Sequence, residues 1–156
     1  MTDTKTPTPK QELQRATTTT DEDNPDLLSA ARTAAGIVIA MARDGVVPDA
    51  VRLRAFPDGR WYSYPIDGGK TSSITIEQYL AGTVARGLWN GDDNIDWEIT
   101  RMFALAWLCP TFGALCNLIE ECMPIVDAIA GRLVITKSME REELALHLAQ
   151  VMGKAA

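Results

Sequence analysis

The chain has 156 residues, 46% of them hydrophobic, and a net charge of −6 from 15 basic and 21 acidic side chains. That length suits one ordinary domain, and the apolar share is enough to fill its core. The acidic balance excludes sequence-independent wrapping of a nucleic-acid backbone, which needs a stripe of many Lys and Arg, and leaves room only for a local basic contact.

Residues 1–23 contain TPTP and TTTT runs and end in Asp21-Glu22-Asp23, with almost nothing apolar to bury. Burial cannot offset the entropy of ordering them, so a disordered N-terminal tail is expected, followed by a single α+β domain over residues 24–156. The opening MTDTKTPTPK lacks the apolar stretch of a secretory signal, and Cys109, Cys116 and Cys122 form an odd set. Both features lead us to expect a reducing cytoplasm.

Order is expected to begin at Asn24-Pro25-Asp26, where Asn24 can cap a helix, Pro25 fits its first position and Asp26 suits its positive end. Leu27, Ala31, Ala34, Val38 and Met41 follow at helical spacing, and Gly45 supplies a stop. Ala30, Ala31, Ala34, Ala35, Gly36 and Ala40 give this helix a surface of small residues that another backbone can approach closely.

Residues 51–66, VRLRAFPDGRWYSYPI, put three arginines and four aromatic residues into an otherwise acidic chain. Phe56-Pro57-Asp58-Gly59-Arg60 has proline and glycine where a type I turn followed by a positive φ wants them, which predicts a hairpin with a three-residue loop. In that register Ala55 faces Trp61, Arg54 faces Tyr62 and Arg52 faces Tyr64. Alternation then sends Val51, Leu53, Ala55, Trp61 and Ser63 to a core face and Arg52, Arg54, Phe56, Arg60, Tyr62 and Tyr64 to a cationic, aromatic outer face, our candidate binding surface. A third strand is expected over Lys70–Ile74. Gly69-Lys70-Thr71 matches the end of a phosphate-binding loop, but Tyr64 stands where that loop needs its first glycine.

Thr75 with Gln78 forms a capping box and Ile74 with Tyr79 a hydrophobic staple. The helix they open should bury Ile76, Leu80, Thr83, Val84 and Leu88 and close at Asn90-Gly91. A second acidic start at Asp92–Asp96 predicts a helix to about Cys109, stopped by Pro110. Residues 102–119 hold no charge, which touches the threshold for a membrane span, yet Pro110, Thr111, Gly113 and Asn117 interrupt the run and both flanks are acidic. We read it as a buried helical pair and expect no membrane partner. Its apolar excess makes Met102, Phe103, Trp107 and Phe112 candidate interface residues of a homodimer. Further helices are expected from about Pro110 to Cys122, from Pro124 to Ile129 and from Ser138 to Gly153. Leu133–Thr136 reads equally as a strand or as the end of a helix.

Motifs that carry chemistry are sparse. The cysteines are spaced C-x6-C-x5-C without a close pair, and His147, the one histidine, lies in a different segment, so neither a metal nor a cofactor is expected. Cysteine in an apolar helix is usually a small buried hydrophobe. Asp92-Asp93 and Glu120-Glu121 are adjacent in sequence, so on a helix they diverge by about 100° and cannot share a proton. The reading is therefore a non-catalytic, regulatory or inhibitory adaptor-like domain that binds protein as a homodimer. Contact with a nucleic acid or another anionic partner through the Arg/Tyr face is the alternative.

Overall fold

The computed structural model describes residues 24–90 and 109–155, so the tail, the helix expected before Cys109, and Met102, Phe103 and Trp107 lie outside the described residues. Among the described residues, five helices and a four-stranded antiparallel sheet form an α+β fold with a helical majority. Asn24 does cap α1 (Pro25–Arg43): its side-chain oxygen accepts the N–H groups of Asp26 at 3.1 Å and Leu27 at 3.3 Å. Gly45 ends the helix at φ +82°.

From Ala34 to Ala42 every residue of α1 is buried, because helices and the sheet surround it. Among the described residues α1 is therefore the central helix, the place the sequence reading gave to the segment before Cys109. By length and composition α1 could also cross a membrane, but 67% of that stretch is buried inside the fold, as a core helix is.

The small residues of α1 serve the contact with α2 (Ile76–Asn90). The two helices cross at Gly36 and Gly82. A Cβ on Gly36 would meet the Gly82 Cα at 2.8 Å and the Ala81 carbonyl oxygen more closely still, and one on Gly82 would meet the Thr33 carbonyl oxygen at 2.7 Å. Two glycines facing each other thus bring backbone onto backbone. The capping box is present: Gln78 N–H donates to the Thr75 hydroxyl at 3.1 Å, and Thr75 N–H donates to the Gln78 amide oxygen at 3.0 Å. Leu80, Thr83 and Val84 are buried as expected, whereas Ile76 in the first turn is 67% exposed.

Strands β1 (Ala50–Ala55) and β2 (Trp61–Asp67) form the expected hairpin, pairing Arg52 with Tyr64, Arg54 with Tyr62 and Ala55 with Trp61. Strand β3 covers only Lys70–Thr71, shorter than expected, because Thr75 is committed to the cap of α2. Helix α3 (Cys109–Glu121) and helix α4 (Met123–Thr136) follow. Leu133–Thr136 is the last turn of α4, and α4 extends past Ile129. It ends at Lys137, whose φ of 61° reverses the chain without a glycine. Ser138–Glu140 is not the start of the last helix but a strand, β4, which pairs antiparallel with β1. Helix α5 (Arg141–Ala155) follows β4.

Sheet order is β3-β2-β1-β4. Val51, Leu53 and Met139 point from its inner face into a core shared with Leu27, Ile39, Leu115, Ile119, Ile129, Leu133, Leu144 and Leu148. Arg32 on α1 and Asp127 on α4 add an ion pair at 2.8 Å.

Candidate functional site

The outer face of the sheet is built from the turn outward. Phe56 N–H donates to the Arg60 carbonyl at 2.7 Å, Gly59 N–H donates to the Phe56 carbonyl at 3.0 Å, and Gly59 takes φ +87°, which closes the three-residue loop. Asp58 accepts the Arg60 backbone N–H at 3.0 Å and its Nε at 2.7 Å. The backbone donor first, and the guanidinium after it, hold the Asp58 carboxyl below its usual range.

With the register fixed, Phe56, Tyr62 and Tyr64 stand on one side of the ribbon and their rings form a ladder. Phe56 and Tyr62 centroids are 4.4 Å apart, and Tyr62 and Tyr64 are stacked at 5.6 Å. Tyr62 and Tyr64 are each half-buried.

The arginines divide their charge unequally. Arg60 lies over the Phe56 ring at 5.7 Å and pairs with Asp58. Arg52 reaches Glu140 on β4 at 3.7 Å, a partner the sequence reading could not supply because it had no strand there. Arg54 is exposed and has no charged partner among the described residues. Arg141, at the start of α5, ties the far end of the sheet together by pairing with Asp49 and, at 3.6 Å, with Asp67. All six residues singled out from the hairpin therefore share one surface.

The other candidates fall elsewhere. Phe112 is 5% exposed and belongs to the core, so its ring is spent inside the chain. Cys122 is buried, Cys116 is half-buried against the same core, and His147 is half-buried on α5. Among the described residues no three His, Cys, Asp or Glu side chains gather as metal ligands.

Two features had no counterpart in the sequence reading. Lys137 places its ammonium 5.6 Å from the Trp61 ring centroid, which a contact across 76 positions of sequence hides from any local pattern. On the opposite side of the hairpin from β4, a cleft of about 330 Å³ opens between β2, α1 and α2, walled by Ile37, Trp61, Ile74, Tyr79 and Thr83. Comparison of the chain with family models, with curated proteins and with solved structures gives no match in any of the three.

Proposed function

We propose that the protein is a non-catalytic binding domain, regulatory or inhibitory in character, that engages a protein partner through the outer face of its sheet. The supporting observation is the ladder of Phe56, Tyr62 and Tyr64 beside charges that are mostly matched within the face. Tyrosine and arginine dominate the energetics of protein interfaces because they offer large, stiff, amphipathic area at low entropic cost. A nucleic-acid strand would use the same rings, but it also draws on unmatched positive charge. Here Glu140 offsets Arg52 and Asp58 offsets Arg60, leaving Arg54 as the one unmatched cation among the three.

The test is a double variant, Tyr62→Ala with Arg54→Glu, used as bait beside the wild type against lysate of the native host, with bound proteins identified by mass spectrometry. Truncating a central tyrosine typically costs an interface about 2 kcal/mol or more, so the variant should lose its partner while its melting curve stays close to wild type. Retention of every wild-type partner by the folded variant rejects the reading. Salt-dependent binding of a single-stranded oligonucleotide by the wild type, lost in the variant, favours the nucleic-acid alternative. Self-association belongs to the same proposal, and light scattering at micromolar concentration should show a species larger than the 17.0 kDa chain.

A further inference from the structure

The hydrogen-bond pattern of the hairpin decides where each backbone group of β2 points. Phe56 and Arg60 form a bonded pair, so by antiparallel alternation Arg54 with Tyr62 and Arg52 with Tyr64 also exchange bonds across β1–β2. The intervening residues Trp61, Ser63 and Pro65 then aim their backbone groups at the other edge of β2. The structure bears this out at Pro65, whose carbonyl accepts Ser72 N–H at 2.9 Å, and on β1, where Leu53 N–H donates away from β2 to the Lys137 carbonyl at 2.9 Å. Strand β3 stops at Thr71, and no described strand lies beside Trp61 or Ser63.

Continuing the β3 register would set Ile74 opposite Ser63. The chain turns away instead, because Thr75 exchanges two hydrogen bonds with Gln78 to start α2, and α2 is anchored on α1 through Gly36 and Gly82. Extending β3 would break that cap. The edge of β2 that no described strand pairs therefore borders the 330 Å³ cleft directly, with Trp61, Tyr62 and Ser63 along one wall and Ile37 and Tyr79 among the residues opposite.

We infer that this edge captures an extended segment of a partner protein, which pairs its main chain with Trp61 and Ser63 and seats an apolar side chain in the cleft. The inference rests on the protein-binding reading above and assigns it a second surface and a mode. Strand-edge N–H and C=O groups recognise one thing well, another backbone in β conformation, and pockets for alternate side chains supply the selectivity. The Thr33 and Thr83 hydroxyls are already committed to the Ser29 and Tyr79 carbonyls, which leaves Ile37, Ile74 and the rings to select a bulky apolar residue.

The experiment selects phage-displayed random dodecapeptides on the full chain and then follows amide exchange by NMR as an enriched peptide is added. Enriched peptides should alternate apolar and polar residues, and saturating peptide should slow exchange of the Trp61 and Ser63 amides by about tenfold or more. Ser63→Pro removes only the edge donor, as Pro65 already does two residues on in the same strand, and should weaken binding about tenfold. Ser29→Trp fills the cleft from α1 and should do the same, deciding alone if Ser63→Pro does not fold. The inference is overturned if no such peptides enrich, if both variants bind them as the wild type does, or if the two amides already exchange slowly in the free chain because the chain covers its own edge. Because Tyr62 also borders the cleft, the variant that separates the two proposals is Tyr64→Ala with Arg54→Glu, which touches the outer face alone. If it keeps all native partners while edge capture persists, the outer-face reading alone fails. If it loses its partner while peptides ignore the edge, this inference alone fails.

Discussion

Replacing Gly36 or Gly82 by alanine tests the crossing of α1 and α2. At an unobstructed helical site the change should stabilise by about 0.5–1 kcal/mol, since glycine loses more backbone entropy on folding. At Gly82 the new Cβ would lie 2.7 Å from the Thr33 carbonyl oxygen and 2.8 Å from Ile37 Cγ1, where ordinary contact begins at 3.4 Å. The helices must part by about 0.7 Å, which weakens dispersion contacts all along the seam between α1 and α2. Overpacking of this kind costs about 1–3 kcal/mol. At Gly36 the three nearest obstacles are all backbone atoms of Ala81 and Gly82, with no side chain to swing aside, so its cost belongs at the upper end. Net of the propensity gain, we expect a loss of about 1 kcal/mol at Gly82 and about 2 kcal/mol at Gly36, or roughly 2–4 °C in melting temperature per kcal/mol for a chain of this size. Urea denaturation followed by circular dichroism should show lower midpoints at unchanged slope. Gly131→Ala on α4, whose Cβ would meet nothing within 4 Å, is the control and should stabilise. The double variant at Gly36 and Gly82 should cost less than the sum, because the helices have already parted. Gly36→Ala as stable as Gly131→Ala would refute the close-approach argument.

The Asp58 carboxyl is lowered in the folded state, so its contribution to the turn is present above the ordinary carboxylate pKa of 3.8 and is lost as pH falls through the lowered value. A carbon-detected NMR titration should find its midpoint below those of free carboxylates, and Arg60→Ala should move it upward by removing the guanidinium while keeping the backbone donor. Asn24→Ala leaves two N–H groups of α1 without their acceptor and should cost about 0.5–2 kcal/mol by thermal melting. Lys137→Gly relieves a left-handed backbone but loses the contact with Trp61, terms of about 1 kcal/mol each, so stability should hardly change. Lys137→Ile puts a β-branched residue at φ 61° and should cost about 1–3 kcal/mol in the same assay.

Legibility in the sequence followed the range of the interactions. The turn at Pro57-Asp58-Gly59 fixes its register within five residues, so the pairing of Arg54 with Tyr62, and the inward Val51 and Leu53 against the outward Arg52 and Arg54, could be written down beforehand, whereas Ala55, expected on the core face, is exposed at the end of the ribbon. The Thr75–Gln78 cap and the Asn24 cap are equally local. Strand β4 was not legible: Ser138-Met139-Glu140 has no alternation long enough to register, followed by Glu142 and Glu143 it looks like a helix start, and it becomes a strand because β1 offers it an edge. The end of α4 was obscured for a related reason, since a lysine rather than a glycine takes the left-handed position there. The small-residue surface of α1 announced a close neighbour without identifying it, because the reciprocal Gly82 has no sequence relation to Gly36. The cleft beside β2 arises from a strand that stops early, an outcome set by competition with the α2 cap rather than by β propensity.

The pairing of β1 with β4 also sets an order of events during synthesis. Leu53 is made long before Lys137, whose carbonyl completes its hydrogen bonding, and Val51 waits as long for Met139. At about 5–20 residues per second, roughly 4–17 s separate the emergence of the two strands from the ribosome. Throughout that interval the hairpin can form, but it presents two raw edges, one beside Trp61 and Ser63 and one along Val51 and Leu53. The first is bordered by α1 and α2 as they fold, while the second closes only once β4 has been made. The nascent protein is therefore most exposed to strand-mediated misassociation along β1, where Arg52 and Arg54 stand as charged gatekeepers until Glu140 arrives.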